Sequence, residues 1–299
     1  MTWRSSTGGL SAVNANVGRR LDDDLYPSAS LPRGDEAGEV KAVILAGGKG
    51  TRLAPYTSVL PKPLLPLGDR AILELVLNQL AQKGFVDITL SVGHLAHLIE
   101  AVLGNGEGQG VDITYIREND PLGTAGSLRL VEGLNNTFLV LNGDLVTTLD
   151  YRDLVRAHQA SGNLLTIATR QRQVKIDYGV IDVEAWTEYP QRVVRYEEKP
   201  VFDFTVSMGI YVMEPRTLDF IPDGYFDFPD LVQALLDVHA PIGAFVHSGL
   251  WLDVGNHEDY ERAVVMYEEG KLASLWDGAG APAAALSSFA PAVIPRSAS

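Results

Sequence analysis

Hydrophobic positions along the first half of the chain alternate between two spacings. A short apolar run, 41–46, ends at Gly47 and Gly48, which is typical of a buried strand. The next apolar residues share one face of a helix that Asp69 can cap and Gly84 can end: Ile72, Leu73, Val76, Leu77 and Leu80. The alternation continues, with predicted strands over 86–92, 111–116 and 137–141 and predicted helices over 95–103 and 124–131. This pattern predicts an α/β protein with a Rossmann-like, doubly wound and mostly parallel sheet.

The second half of the chain is less regular. Strands are predicted over 180–183, 193–196 and 208–213, separated by turns rather than by long helices. Helices are predicted to follow over 228–238 and 259–269. We interpret the strands as a small antiparallel excursion from the main sheet, in a position suited to cover a substrate.

Both ends of the chain lack a sustained apolar period. Residues 1–39 are rich in Gly, Ser, Asn and Asp, and residues 278–299 in Ala, Pro and Ser, so we predict a flexible N-terminal extension and a disordered tail. A single compact domain is predicted over 40–277. The arginines and serines of the extension would also suit a transit peptide, but no amphipathic period supports targeting.

Composition excludes several classes of protein. With 24 basic and 38 acidic residues the formal charge is −14, and such a surface would repel a nucleic acid. The chain has no cysteine, which removes thiol nucleophiles, Cys-ligated zinc and disulfides. No apolar stretch approaches the ~18 residues of a membrane span. We therefore expect a cytoplasmic protein with no nucleic-acid or membrane partner, and a homo-oligomer is compatible with the sequence.

A glycine-rich turn follows the first predicted strand directly, in the run Leu45-Ala-Gly-Gly-Lys-Gly-Thr-Arg-Leu53. Glycines in this position let backbone N–H groups approach a phosphate closely, and Lys49 and Arg52 add positive charge. The run does not fit a dinucleotide fingerprint, which would require a third glycine at Leu53, nor a Walker P-loop. Taken alone, it could equally be a simple tight turn.

Two further residues fit the same chemistry. Lys62 lies between Pro61 and Pro63, which fix the backbone and direct the positive charge. Asp144 comes just after the apolar strand 137–141, and ligands of open α/β sheets bind beyond the carboxyl ends of the strands. A carboxylate in that place suits Mg²⁺, although Asp144 could instead cap a helix.

These motifs closely resemble the signature of sugar-1-phosphate nucleotidylyltransferases. Further matches follow in the order of that family: Pro121-Leu-Gly-Thr-Ala-Gly126, Asn142-Gly-Asp144, Tyr178-Gly-Val180, Glu197-Glu-Lys-Pro200, Met208-Gly-Ile-Tyr211 and Trp251-Leu-Asp-Val-Gly255. Any one motif could occur by chance, but the ordered series over 41–270 is highly specific. The resemblance implies transfer of a nucleotide from a nucleoside triphosphate to a sugar 1-phosphate or a sugar-like phosphate, with release of pyrophosphate.

The resemblance also implies a role for each matching residue. Arg52 and Lys62 would be the catalytic residues, and Asp144 and Asp253 would hold the Mg²⁺ cofactor. The implied nucleotide-binding residues are Leu45, Ala46, Gly47, Gly48, Lys49, Gly50, Thr51, Gly123, Thr124 and Gly126. The implied sugar-phosphate residues are Gly179, Glu198, Lys199 and Ser207. Two anionic reactants repel each other, so this reaction requires positioning and charge neutralisation more than acid–base catalysis.

The choice of substrates is less well determined. The run Pro121–Gly126 is most similar to the mannose-1-phosphate guanylyltransferase branch, which favours GTP over the alternatives UTP and dTTP. Relatives often carry arginine in place of Ala54 and asparagine in place of Ser207, so a modified sugar or a cyclitol phosphate becomes an alternative to a hexose. A catalytically silent subunit that only binds nucleotide sugars is the rival from another class, although such a protein could lose Arg52, Lys62, Asp144 or Asp253.

Overall fold

The computed structural model describes residues 40–118, 120–184, 191–272 and 275. The predicted extension 1–39 and the predicted tail 278–299 lie outside the described residues. No helix in the described part of the chain is both long and apolar enough to cross a bilayer.

The elements alternate as the sequence predicts in the first half of the chain. The strands are β1 Ala42–Ala46, β2 Pro66–Leu67, β3 Arg70–Ala71, β4 Asp87–Val92, β5 Asp112–Arg117, β6 Phe138–Asn142, β7 Leu145–Thr147, β8 Leu165–Lys175, β9 Gly179–Val183, β10 Val193–Glu198, β11 Val201–Met213, β12 Ile242–Val246 and β13 Trp251–Asp253. The helices are α1 Ile72–Gln82, α2 Ala96–Leu103, α3 Gly123–Gly126, α4 Tyr151–Ser161, α5 Phe228–Asp237 and α6 His257–Glu268.

A seven-stranded sheet forms the centre of the fold, in the order β12-β8-β11-β6-β1-β4-β5. β1 pairs in parallel with both β4 and β6, and β11 is the antiparallel member of the sheet. The prediction of a doubly wound, mostly parallel sheet is therefore confirmed. Because the parallel strands point the same way, the loops after β1, β5 and β6 meet at one edge of the sheet.

Apolar side chains cover both faces of this sheet. Along β1, Ile44 packs on the face that α1, α2 and α4 cover, whereas Val43 packs on the opposite face with α3 and α5. Both side chains are fully buried. Burial of each such side chain contributes roughly 1.5–3 kcal/mol, so the continuous apolar run of β1 is what a strand covered on both sides requires.

The start of α1 differs from the prediction. Ala71 rather than Asp69 precedes the helix, and its backbone N–H donates to Glu74 at 2.8 Å. Asp69 instead lies in the turn of the short β2–β3 hairpin, which leads directly into α1. The predicted helix 124–131 is also shorter, since α3 gives way to a 3₁₀ helix, Ser127–Leu130.

The predicted antiparallel excursion is present. β8 and β11 continue past the sheet as a two-stranded ribbon. In this ribbon Arg170 pairs with Val206 at one end and Lys175 pairs with Val201 at the other. A second pair of strands, β9 and β10, follows the ribbon. We call residues 170–184 and 191–207 the arm. β12 pairs with only the first half of β8 and β6 with only the end of β11, so the arm extends away from the central sheet.

A buried histidine joins three elements below the sheet. His158 of α4 is 1% exposed, and its ring nitrogens bond Thr166 Oγ1 at 2.8 Å and Glu214 Oε1 at 3.1 Å. Glu214 also accepts from Thr137 Oγ1. Burial lowers the pKa of His158 below its usual range, although the hydrogen bond and the charge of Glu214 act in the opposite direction. The folded protein therefore favours the neutral ring more than the unfolded chain does.

We expect the free energy of unfolding to fall as the pH drops below about 6.5, because His158 then binds a proton more readily in the unfolded chain than in the folded one. Each unit of difference between the two pKa values is worth about 1.4 kcal/mol. Urea unfolding at about pH 7.5 and about pH 5.5 measures this dependence, and His158→Gln should reduce it. The matched control is His239→Asn, at an exposed histidine, which should keep the wild-type dependence. An unchanged pH dependence in His158→Gln would contradict the assignment.

Candidate active site

A cleft of about 460 Å³ opens at the carboxyl ends of the parallel strands. Its wall contains most of the residues singled out from the sequence: Leu45, Ala46, Gly47, Gly48, Gly50, Thr51, Arg52, Lys62, Gly123, Thr124, Asp144 and Asp253. Segments that are distant in sequence thus meet at one place, and those that follow β1, β5 and β6 do so because the parallel strands end there.

The glycine-rich turn is shaped by its contact with Lys62. Gly50 has φ +60°, a left-handed conformation that favours glycine. A Cβ on Gly50 would lie 2.9 Å from Thr57 Cγ2 and 3.1 Å from Lys62 Cβ. Thr57 Oγ1 donates to the Gly50 carbonyl at 2.8 Å, which fixes the turn from below. Gly50 therefore allows the turn and Lys62 to pack against each other.

The two predicted metal ligands are brought together by a short antiparallel ladder. β7 pairs with β13 so that Asp253 faces Leu145, the residue after Asp144, and Val254 N donates to the Asp144 carbonyl at 3.2 Å. Asp144 comes immediately before β7, so the alternative role as a helix cap is wrong. This pairing explains how two acids far apart in the chain share one site.

Lys62 lies between these carboxylates. Its Nζ forms an ion pair with Asp144 Oδ2 and lies 3.9 Å from Asp253 Oδ1. The side chains of Lys62 and Asp144 are only 13% and 15% exposed, so solvent screens this pair weakly. Burial, and then the negative charge of Asp144, raise the pKa of Asp253, while Lys62 and Arg52 oppose that effect. A cation close to both oxygens would favour the ionised form of Asp253.

The acid pair fits a hard divalent cation. Asp144 Oδ1 is buried, and it has no hydrogen-bond partner among the described residues. A buried carboxylate oxygen without a partner is costly, and a metal ion would satisfy it. The described residues contain no cluster of three ligating side chains. Two carboxylates nevertheless suit Mg²⁺, which completes its coordination with water and substrate phosphate oxygens.

The cleft wall also contains residues that the sequence motifs did not reveal. Glu118 follows β5; it accepts from Ser91 Oγ at 2.9 Å and from Leu122 N at 3.1 Å. A Cβ on Gly47 would lie 2.8 Å from Glu118 Oε1, so this carboxylate borders the glycine-rich turn. The only local signal was an acidic residue just past the end of a strand, the position that also drew attention to Asp144.

Two other cleft residues, Tyr225 and Asp227, come from the segment before α5. Asp227 Oδ1 accepts from Thr124 N at 2.8 Å and from Thr124 Oγ1 at 2.9 Å, and Tyr225 OH donates to Asp227 Oδ2 at 2.5 Å. Burial opposes ionisation of Asp227, but these hydrogen bonds outweigh it and lower its pKa. The polar atoms of Thr124, predicted to bind nucleotide, are thus engaged within the protein.

The glycines of the 121–126 motif make room for this segment. Gly123 has φ +77°, and a Cβ on it would lie 2.5 Å from the Phe226 carbonyl oxygen. A Cβ on Gly126 would lie 2.8 Å from the Gly224 carbonyl oxygen. The space that these glycines free is filled by protein backbone, although the resemblance implied that both glycines would bind the nucleotide.

Several predicted residues lie apart from the cleft wall. Lys49 is exposed beside the turn, and Gly126 is buried behind it. The predicted sugar-phosphate residues Gly179, Glu198, Lys199 and Ser207 all belong to the arm. Ser207 is exposed; its Oγ donates to Tyr211 OH at 3.3 Å and accepts from Gly209 N at 3.3 Å.

Comparison with known proteins identifies related sequences and structures. The sequence profile of the nucleotidyl transferase family matches residues 41–270. A UTP–glucose-1-phosphate uridylyltransferase from Synechocystis is 35% identical over 75% of this chain and 62% of its own length. A mannose-1-phosphate guanyltransferase from Kluyveromyces lactis is 34% identical over 76% of this chain and 64% of its own. The chain thus spans less than two thirds of the length of these relatives.

Solved structures show the same architecture. HddC from Yersinia pseudotuberculosis, crystallised with GMP-PN, superposes with a TM-score of 0.58 at 26% identity, over 76% of this chain and 99% of that one. A Bacillus anthracis protein provisionally named glucose-1-phosphate thymidylyltransferase gives a TM-score of 0.61 at 26% identity, over 76% and 94% of the two chains. The names of these relatives refer to three different bases, which are uracil, guanine and thymine.

Proposed function

We propose, from the premise that this chain belongs to the nucleotidyl transferase family, that its cleft joins a sugar 1-phosphate to a nucleoside triphosphate and releases pyrophosphate. The observation that carries the proposal is the position of Lys62, held between Asp144 and Asp253 beside the glycine-rich turn. A silent binding subunit would have no need to keep these three charges together.

The reaction forms one bond and breaks another. A phosphate oxygen of the sugar 1-phosphate attacks the α-phosphorus of the nucleoside triphosphate, and the bond to the β-phosphate oxygen breaks, so that pyrophosphate leaves with the electron pair. In this proposal Lys62 holds phosphate oxygens at the α-phosphorus, and Arg52 neutralises the outer phosphates. Backbone N–H groups of the turn bind the triphosphate.

Asp144 and Asp253 would hold Mg²⁺, which when bound supplies neutralisation of the phosphate charge. The short β7–β13 ladder fixes both carboxylates relative to Lys62, so the charges are placed before the substrates arrive. Positioning of this kind is what two mutually repelling anions require.

GTP is the nucleotide that we propose. Glu118 borders the turn, and each of its oxygens already accepts one hydrogen bond, which leaves one lone pair on each oxygen for a ligand. Guanine presents two adjacent donors, N1–H and N2–H, to such an acceptor, whereas uracil and thymine present a single N–H between two carbonyls. The mannose-1-phosphate guanyltransferase relatives are consistent with this choice.

The function is tested by measuring pyrophosphate release from GTP, UTP and dTTP with a panel of sugar 1-phosphates. We expect turnover with GTP in the presence of Mg²⁺, and a loss of about 10²-fold or more in kcat for Asp144→Asn because charge stabilisation at the phosphoryl group is weakened. The matched control is Asp112→Asn, at an exposed acid that begins β5 at the opposite edge of the sheet. Binding of nucleotide sugar without turnover by wild type would favour the silent subunit instead.

Base selection is tested by Glu118→Gln. A carboxamide offers one acceptor and one donor, so it should pair poorly with the two donors of guanine and better with uracil or thymine. We expect kcat/KM for GTP to fall roughly tenfold or more relative to UTP and dTTP, which corresponds to ~1–3 kcal/mol of discrimination. Glu107→Gln, at an exposed glutamate, should leave the ratio unchanged. An unaltered ratio in Glu118→Gln would show that this carboxylate does not contact the base.

The identity of the sugar acceptor is tested by substituting Ser207. If the native acceptor is a modified sugar or a cyclitol phosphate, Ser207→Asn should crowd it and lower its kcat/KM. The same substitution should improve mannose or glucose 1-phosphate by a few-fold, since a restored hydrogen bond is worth ~1 kcal/mol. Efficient use of a hexose 1-phosphate by wild type, with no gain in the variant, would rule out an unusual acceptor.

A further inference from the structure

One aromatic side chain in the cleft is both exposed and anchored. Tyr225 is 65% exposed, and it is the one aromatic residue among the described residues of the cleft wall. Its hydroxyl group donates to Asp227 at 2.5 Å, so the ring is held at its far end although most of its surface is exposed. An exposed ring that is fixed in advance loses little conformational freedom when a flat ligand packs against it.

The backbone that follows Tyr225 is also fixed. Phe226 N donates to the Leu122 carbonyl at 2.8 Å, and the Phe226 carbonyl accepts from Ala125 N at 3.0 Å and Gly126 N at 2.8 Å. Phe228 N donates to Thr124 Oγ1 at 2.9 Å. Residues 226–228 are therefore tied to the 121–126 motif by hydrogen bonds, and Tyr225 directly precedes this fixed segment.

The charges of the cleft indicate which part of a nucleotide this wall meets. Arg52, Lys62 and the acid pair mark the end where phosphates bind. Glu118 lies beside Gly47 of the turn and accepts a hydrogen bond from the backbone N–H of Leu122. The carbonyl of Leu122 in turn accepts from Phe226 N. This chain of contacts leads from the phosphate turn through Glu118 to Tyr225. A planar base with its edge at Glu118 would thus have a face available to the ring.

We propose that Tyr225 is a substrate-contacting residue that stacks on the nucleobase, and that Asp227 positions its ring. This inference rests on the proposed function, because it concerns the nucleotide of the same cleft. In this proposal Tyr225 contacts the flat face of any base, whereas Glu118 distinguishes one base from another by hydrogen bonds to the edge of the base. Stacking tolerates every base because each one has a flat aromatic surface.

The test compares ligands with and without a base on the full chain. Binding of GTP and of inorganic tripolyphosphate, each with Mg²⁺ and without sugar phosphate, is measured by calorimetry for wild type, Tyr225→Ala and Tyr225→Phe. We expect Tyr225→Ala to weaken GTP binding roughly tenfold or more, which is typical for loss of one stacked base, and to leave tripolyphosphate binding unchanged. Tyr225→Phe keeps the ring and should lose at most a few-fold from the missing bond to Asp227.

Three results would overturn the inference. Unchanged GTP binding in Tyr225→Ala would show that the ring does not meet the base. An equal loss for GTP and tripolyphosphate would show an effect on the phosphate end or on folding. A raised KM for the sugar 1-phosphate with normal GTP binding would place the ring against the sugar.

The outcomes separate this inference from the proposed function. If wild type makes a nucleotide sugar and Tyr225→Ala binds GTP normally, only the stacking role fails. If wild type binds GTP but makes no nucleotide sugar with any acceptor, the transferase proposal fails. The selective loss of GTP binding in Tyr225→Ala would then still support the stacking role.

Discussion

The pairing of β7 with β13 is the constraint on which the cleft depends. Only a few residues form this ladder, yet it places Asp253 beside Asp144 and leaves Lys62 between two carboxylates. The ladder is supported by buried apolar residues on both strands, Val146 and Leu252, which pack in one cluster with the outer side of α1. The placement of these charges therefore depends on the hydrophobic packing behind the ladder, because two neighbouring carboxylates would otherwise move apart or become protonated.

The distribution of charge is compatible with the phosphates of the proposed substrates, although the protein is strongly acidic. The chain carries a formal charge of −14, but the cleft brings Arg52 and Lys62 to the same place through two short turns after β1. A nearby cation acts over a few ångströms, whereas the distant acids are screened by solvent and salt. The net charge therefore disfavours a long polyanion but leaves room for a small one.

Parts of the fold could be predicted because their signals are local. The apolar run of β1, bounded by glycines, and the position of Asp144 after β6 required only neighbouring residues. The helix α4 was missed, although its buried residues Tyr151, Leu154, Val155 and His158 have helical spacing. Asp253 could be identified only through family resemblance, because an antiparallel partner so far away in the chain leaves no local pattern.

The places of Tyr225 and Asp227 in the cleft could not be predicted from the sequence. Asp227 occupies the N-cap position of α5 and precedes a phenylalanine and a proline, which alone indicate only the start of a helix. Its carboxylate instead bonds Thr124, a contact that exists only after the chain has folded. A hydrogen-bonded pair such as Thr124 and Asp227 joins two loops that are distant in the chain. The sequence of either loop alone does not indicate which segment it will contact.

The hydroxyl group of Thr124 bonds both Asp227 and Phe228, and this limits how such a cleft can change in evolution. Because Thr124 accepts from Phe228 and donates to Asp227, the 121–126 motif and residues 224–228 form a single mechanical unit. A short motif transplanted from a relative would arrive without the backbone carbonyls that its glycines were shaped to accommodate. A change in one of these segments therefore requires a matching change in the other, so the two segments must diverge together.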